Sequence, residues 1–233
     1  MKKLRITFIS DTHTKHDKLN GFLTGGDMLI HAGDLTSRGY LTEIENFAKW
    51  YEKIDNYDTK VFIAGNHDFG FQDEPEKIKG LLTGYKTIDY LQDDWMEVGE
   101  DVEKLVKIWG SPWQPEFHNW AFNLPRGEKI MEKWNLIPND VDILVTHGPA
   151  HGKLDFVPYD GLNVGCEDLL QKIQEIKPKI HVSGHIHSGR GVVFSEGTLY
   201  VNASVLNDRY EFRNKPITIE FDFETGEWDV IDF

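Results

Sequence analysis

Short apolar runs alternate with amphipathic stretches through the first two-thirds of the chain. Leu4–Ser10, Met28–Ala32, Lys60–Ala64, Thr87–Leu91, Leu105–Trp109, Asp142–Thr146 and Lys179–Ser183 each end in glycine or polar residues, as strands bounded by turns do. Between them lie helical stripes. Ile44, Phe47, Ala48 and Tyr51 fall at i, i+3, i+4 and i+7, with Thr42 and Glu45 spaced as a capping box. Cys166, Leu169, Leu170 and Ile173 repeat the stripe, and Pro178 stops that helix. Past residue 190 the pattern is wholly β: Gly191–Phe194, Thr198–Asn202, Ile217–Phe223 and Trp228–Phe233. Helices flanking strands, followed by a run of strands, predict an α/β fold with two packed mixed β-sheets flanked by helices. No repeat, low-complexity tract or long linker divides the chain, so residues 1–233 read as a single domain.

Composition narrows the partners. Hydrophobic residues at 39% and charged residues at 27% suit a folded chain and exclude a disordered or fibrous one. Lys and Arg total 25 against 39 Asp and Glu, a formal charge of −14. Such a chain has no general attraction for long nucleic acid or an anionic membrane. Phosphate chemistry, if present, needs a local device that reverses the sign. The single cysteine, Cys166, allows no internal disulfide. The apolar start, Met1-Lys2-Lys3-Leu4-Arg5-Ile6-Thr7-Phe8-Ile9, is too short for a leader and runs into Asp11. No run approaches the ~18 residues of a membrane span. Asn202-Ala203-Ser204 matches the glycosylation sequon by chance, and the expected location is cytoplasmic.

The candidate chemistry lies in the turns at the strand ends. Asp11-Thr12-His13 comes after the first strand, Gly33-Asp34 after the second and Gly65-Asn66-His67-Asp68 after the third. His147-Gly148 succeeds Asp142–Thr146, and Gly184-His185-Ile186-His187 succeeds Lys179–Ser183. Sites in sheets with helical cover form at the carboxyl ends of strands, so these five turns are expected to converge. Asp11 and His13 are two apart, so an extended chain would point both the same way, and His185 with His187 repeats the arrangement. Two carboxylates, one amide oxygen and four imidazoles suit divalent Mn, Fe, Zn or similar ions rather than a thiolate site. Seven such groups suit two ions better than one, and a carboxylate can bridge a pair about 3.5–4 Å apart.

In these blocks the sequence resembles the calcineurin-like metallophosphoesterases, whose pattern is D-x-H, G-D, G-N-H-D/E, a lone H and G-H-x-H. The resemblance spans roughly Ile6 to Ser188 and implies their four-layer α/β/β/α sandwich. A narrower likeness is carried by Gly110-Ser111-Pro112-Trp113-Gln114-Pro115, Trp120-Ala121-Phe122-Asn123-Leu124 and Tyr200-Val201-Asn202-Ala203-Ser204. These resemble the branch called metallophosphoesterase domain-containing proteins, associated with cyclic-nucleotide phosphodiesterase activity. The resemblance implies one metal held by Asp11, His13, Asp34 and His187. A second would be held by Asp34, Asn66, His147 and His185, with Asp34 the bridge. Mn²⁺ is the first expectation for both, with Fe, Zn, Ni or Mg as alternatives.

Under the same resemblance Asn66 and His67 would meet substrate, and Phe69, two residues past His67, is the aromatic best placed to join them. His67 would stabilise charge and protonate the leaving oxygen, and Asp68 would orient its ring. A metal-bridging hydroxide would attack phosphorus in line with the leaving group. Gly33-Asp34-Leu35-Thr36-Ser37-Arg38-Gly39 further resembles the G-D-x-x-x-R-G of the serine/threonine phosphatases, which would give Arg38 a hold on phosphate; its other reading is a solvated residue.

The remaining histidines carry quieter expectations. His31 and His181 read as interior or sheet-face residues and His16 as a surface one; His118 and His151 read as ordinary loop residues, with pocket lining as the alternative for both. The aromatics Phe69, Phe71, Trp113, Phe117, Trp120 and Tyr159 could stack on a base, but loop packing is the expected role. Asp73-Glu74 and Asp93-Asp94 read as solvated turns. The expected function is a dinuclear metal-dependent phosphodiesterase on small diesters such as cyclic nucleotides. The alternatives are a phosphomonoesterase on small phosphorylated metabolites or nucleotides, and a non-enzymatic scaffold.

Overall fold

Residue alternation within the strands decides the layering. The structure is a computed structural model describing residues 3–99 and 105–233; Met1 and Lys2 of the leader-like start lie outside them. In chain order the strands of its two large sheets are β1 (Leu4–Ile9), β2 (Gly26–Ala32), β3 (Tyr57–Ile63), β4 (Asp89–Tyr90), β5 (Asp94–Val98) and β6 (Val106–Ser111). Then come β7 (Ile143–Thr146), β8 (Ile180–Ser183), β9 (Gly191–Ser195), β10 (Thr198–Asn202), β11 (Ile217–Phe221) and β12 (Trp228–Asp232). One six-stranded sheet runs β12-β11-β1-β2-β3-β4 and the other β9-β10-β8-β7-β6-β5. Each sheet is mixed: β1 to β4 are parallel, as are β10, β8, β7 and β6, while the remaining pairs are antiparallel.

Because successive side chains point to opposite faces, each strand serves two layers. Ile6, Phe8, Ile30 and Val61 of the first sheet share one buried cluster with Ile108, Val145, Val182 and Val201 of the second. The alternate residues Leu29 and Phe62 pack on Ile44, Phe47 and Tyr51 of α1 (Leu41–Glu52). Behind the second sheet, Trp109, Leu144 and Tyr200 meet Ile130 and Trp134 of α4 (Glu128–Trp134) and Leu169 and Ile173 of α5 (Glu167–Ile176). Short helices α2 (Phe69–Asp73) and α3 (Pro75–Leu82) precede β4. The expected four-layer α/β/β/α sandwich is the observed one. Among the described residues no helix is long and apolar enough to cross a membrane.

Several local expectations shift. Helix α1 starts at Leu41, so Thr42 and Glu45 do not form its capping box; the Glu43 carboxylate accepts from the Arg38 and Tyr40 backbone N–H groups instead. Thr87–Leu91 shrinks to the two residues of β4, and β5 arises where charged residues mask a half-buried edge. Asp93 is no solvated turn. It accepts from Ser111 Oγ (2.7 Å), Trp113 Nε1 (2.9 Å) and Lys133 Nζ (2.7 Å), tying the β4–β5 turn to the end of β6. His16 is buried, its ring 4.9 Å from that of Trp50, because the turn after His13 folds back onto α1.

His31 and His181 are interior sheet residues, with Nε2 3.0 Å from Thr12 Oγ1 and 2.8 Å from Thr146 Oγ1. Burial pushes both rings from 6.5 down to about 3. The unfolded chain therefore binds protons that the folded chain refuses. Stability from these neutral rings is complete above pH 6.5 and is lost as pH falls from 6.5 toward 3. Replacing His181 by glutamine should flatten the fall of Tm across that window. An unaltered slope would show that His181 titrates alike in both states.

Candidate metal centre

All five expected turns lie on one edge of the two sheets, at the carboxyl ends of β1, β2, β3, β7 and β8. Backbone bonds knit them together. Asp11 N donates to Gly33 O (2.9 Å), His13 N to Asp34 O (3.0 Å) and Gly184 N to His147 O (2.9 Å). The convergence is not achieved by extended chain, as the two-residue spacings suggested. Asp11, His13, Asp34 and His185 all hold left-handed backbone, with φ of 54°, 41°, 56° and 66°. Such geometry costs of order 1–3 kcal/mol per residue, and it persists where surrounding bonds fix it. The glycines of these turns answer to crowding: a Cβ on Gly65 would strike the Asp34 carboxylate and the His147 ring, and one on Gly184 the Asp11 carboxylate.

The imidazoles are held in one tautomer. His13 Nδ1 lies 3.2 Å from Thr36 O, His147 Nδ1 2.9 Å from Ala32 O, and His187 Nδ1 2.9 Å from Asn207 O. A carbonyl only accepts, so each Nδ1 carries a proton and each Nε2 is turned to the centre. There His13 Nε2 is 3.6 Å and His147 Nε2 3.4 Å from Asp34 Oδ2, and His187 Nε2 is 3.4 Å from Asp11 Oδ1. Asn66 Oδ1 is 2.9 Å from His147 Nε2. Asp34 thus stands between His13 and His147. Asp11, His13 and His187 form one compact triad of ligand atoms, and Asp11, Asp34 and His147 another. A third unites His13, Asp34 and His67, although His67 was expected to face substrate alone. His185 gives its backbone N–H to the Asp11 carboxylate (3.1 Å), and its ring lies 5.1 Å from that of His147.

Charge and burial conflict here in an informative way. Burial opposes ionisation of Asp11 and Asp34, yet His187 and His147 respectively hold the two carboxyls well below their usual range. Burial likewise opposes charge on His147 and His187, yet Asp34 and Asp11 hold these rings up to about 9. The buried carboxylates demand positive charge beside them. Burial pushes His13 down to about 4 and His185 to about 3, leaving neutral donors. His13 Nε2 is buried and has no hydrogen-bond partner. An unsatisfied imidazole lone pair among carboxylate and amide oxygens is the donor set of a divalent transition ion, and the residues fit such a group.

Asp68 does not meet the His67 ring. Its carboxylate accepts from Leu35 N (3.1 Å), Thr36 N (2.9 Å), Thr36 Oγ1 (2.6 Å) and Gly65 N (2.8 Å), binding the turns after β2 and β3 together. Burial, then the Asp34 charge, raises this carboxyl to about 7. The His67 ring is held by the Ser37 carbonyl, 3.0 Å from Nδ1, and its backbone N–H donates to Asp34 Oδ1 (2.8 Å).

A cleft of about 660 Å³ opens over the centre, walled by Asn66, His67, Trp120, His187 and Tyr210 among others. Arg38 and Phe69 line a separate pocket of about 330 Å³ with His118, Asn119 and Trp120. Neither is among the residues lining the main cleft, and Trp120 borders both spaces. His118 borders both spaces, Phe117 and Tyr159 border the main cleft, and His151 lies off it near Asp155 and Glu167. Three further residues support the centre. Tyr210, with φ of 56°, sets its ring 4.9 Å from His13 and 5.4 Å from His187. Ser204 Oγ donates to Asp11 Oδ2 (2.7 Å), and Asn202 is wholly buried, its amide donating to Ile186 O (2.9 Å). The sequon is thus structural, and its serine was the available signal.

The family model described as calcineurin-like phosphoesterase matches residues 4–189. The human protein named metallophosphoesterase domain-containing protein 1 is 41% identical over 237 residues, covering 93% of this chain and 70% of its own. Among solved structures, the TT1561 protein of Thermus thermophilus is similar with a TM-score of 0.67 at 14% identity, over 99% of each chain. The phosphopantetheinyl hydrolase of Mycobacterium tuberculosis reaches 0.61 at 16% identity, over 90% of this chain and 92% of its own. At such identities the likeness concerns the fold.

Proposed function

Because the chain belongs to the calcineurin-like phosphoesterase family, we propose that it is a dinuclear metal-dependent phosphodiesterase acting on small diesters such as cyclic nucleotides. The observation that carries this reading is the place of Asp34, whose Oδ2 lies 3.6 Å from His13 Nε2 and 3.4 Å from His147 Nε2. Asp11, His13 and His187 would hold one ion, Asn66, His147 and His185 the other, and Asp34 would serve both. Mn²⁺ is the first choice on donor type. Bound there, two divalent ions supply positive charge for phosphoryl oxygens and lower the pKa of a nearby water.

The chain's own groups do the rest. His67 is fixed at Nδ1 by the Ser37 carbonyl, so Nε2 remains to meet substrate. A proton held there would neutralise phosphoryl charge and pass to the leaving oxygen. Asp68 keeps the Asp34 and His67 turns in register and does not touch substrate. The net charge of −14 discourages long polyanions, while two divalent cations invert the sign locally for one small anion.

A panel of phosphate esters assayed with Mn²⁺, Zn²⁺, Ni²⁺ and Mg²⁺ separately tests the reading. Activated aryl diesters and 2′,3′- or 3′,5′-cyclic nucleotides should turn over faster than the corresponding monoesters. A reversed ratio would assign the chain to monoesters with the same centre.

A further inference from the structure

We propose that Trp120 is a positioning residue that fixes the plane of the His67 ring, and that Arg38 acts on the site only through it. The proposal rests on the phosphoesterase reading for its kinetic part. The Trp120 and His67 rings are stacked, 4.1 Å apart and 28° from parallel. The bond from Nδ1 to the Ser37 carbonyl holds one edge of the imidazole but leaves it free to pivot about that edge. The indole face removes that freedom, and His13 meets the ring edge-on at 4.5 Å. With the pivot closed, Nε2 keeps one direction.

Trp120 is itself anchored in the frame of the centre. The next residue, Ala121, donates its N–H to the carbonyl of Asn66, the neighbour of His67 (3.1 Å). Phe122 N donates to Gln72 Oε1 (2.5 Å) and Phe122 O accepts from Gln114 N (3.1 Å). Ala121 and Phe122 are fully buried. The backbone that carries the indole is therefore held in place. Arg38 and Phe69 open onto the pocket that Trp120 closes from one side, whereas His67 opens onto the cleft it closes from the other. The Arg38 guanidinium carbon lies 5.7 Å from the centre of the Trp120 rings, in cation–π range. Arg38 thus supports the wall from outside the cleft rather than holding the reacting phosphate.

The test uses Trp120→Ala, Trp120→Phe, Trp120→Leu and Arg38→Met in the full chain. The His67 ring protons are followed by NMR in histidine-labelled, Zn²⁺-loaded protein and assigned with His67→Gln. Hydrolysis of bis(4-nitrophenyl) phosphate is measured with Mn²⁺. Trp120→Ala should move the His67 signals downfield and lower kcat roughly ten-fold or more, with KM changed less than about three-fold. Trp120→Phe should restore both readouts and Trp120→Leu neither. Leucine fills the space without an aromatic face, so rescue by both residues would reduce Trp120 to packing and overturn the proposal. Unmoved His67 signals or an unchanged kcat in Trp120→Leu would overturn it as well. Arg38→Met should lower kcat in the parent and have no further effect beside Trp120→Ala; an equal effect in both backgrounds would give Arg38 a direct role. If the parent chain hydrolysed no ester with any metal, the phosphodiesterase reading would fail, and the His67 shifts would still decide the stack.

Discussion

Alanine in place of Asp34 is expected to remove metal and turnover together. Asp34 Oδ2 lies within 3.6 Å of both His13 Nε2 and His147 Nε2, so in the proposed two-ion centre its loss would strip a ligand from both positions at once. The other oxygen accepts the His67 backbone N–H at 2.8 Å, so the turn that presents His67 loosens too. Removing a group that only supports a metal ligand costs 10–100-fold in affinity. A shared ligand should cost more, about 100-fold or beyond for Mn²⁺, and turnover should fall roughly a thousand-fold. Metal analysis after gel filtration, beside kcat on an aryl diester, reads both losses. Full metal content in Asp34→Ala would show that Asp34 bridges nothing.

Alanine in place of His67 should separate these effects. The ring is held by Ser37 and stacked on Trp120, and alanine keeps the residue's backbone bond to Asp34. Metal content should stay at the parent level while kcat falls by roughly 10²–10⁴-fold, the range for a positioned acid. The size of the fall should depend on the ester. A 4-nitrophenoxide leaves readily without a proton, whereas the alkoxide of a cyclic nucleotide does not, so His67→Ala should damage the second reaction more. Equal damage to both would restrict His67 to charge stabilisation. Metal lost with the ring would make His67 a ligand, as its triad with His13 and Asp34 allows.

The strands, and the side chains placed at their ends, were legible because both obey a local rule. Short apolar runs mark β1, β2, β3, β7 and β8, and the polar residue after each run is where the chain leaves the sheet. The backbone that brings the ligands together was hidden. Asp11 and His13 look like an extended pair, and their left-handed φ arises from bonds to Gly33 and Asp34, far along the chain. Asp68 looked like a partner for its neighbour His67, yet four donors from other positions claim its carboxylate. Trp120 and Tyr210 reach the cleft from loops with no periodicity of their own, so nothing local distinguishes them from packing aromatics. The strand β5 was missed for a different reason: its exposed edge carries Asp94 and Glu97, which break the apolar signal.

The most direct test is a titration of chelator-treated protein with Mn²⁺ while hydrolysis of bis(4-nitrophenyl) phosphate is followed. A centre built by Asp11, His13, Asp34, Asn66, His147, His185 and His187 predicts no turnover before metal is added. Turnover should then rise to a plateau at about two ions per chain. Turnover that survives chelation unchanged, or none at any metal concentration in folded protein, would contradict a metal-dependent phosphodiesterase.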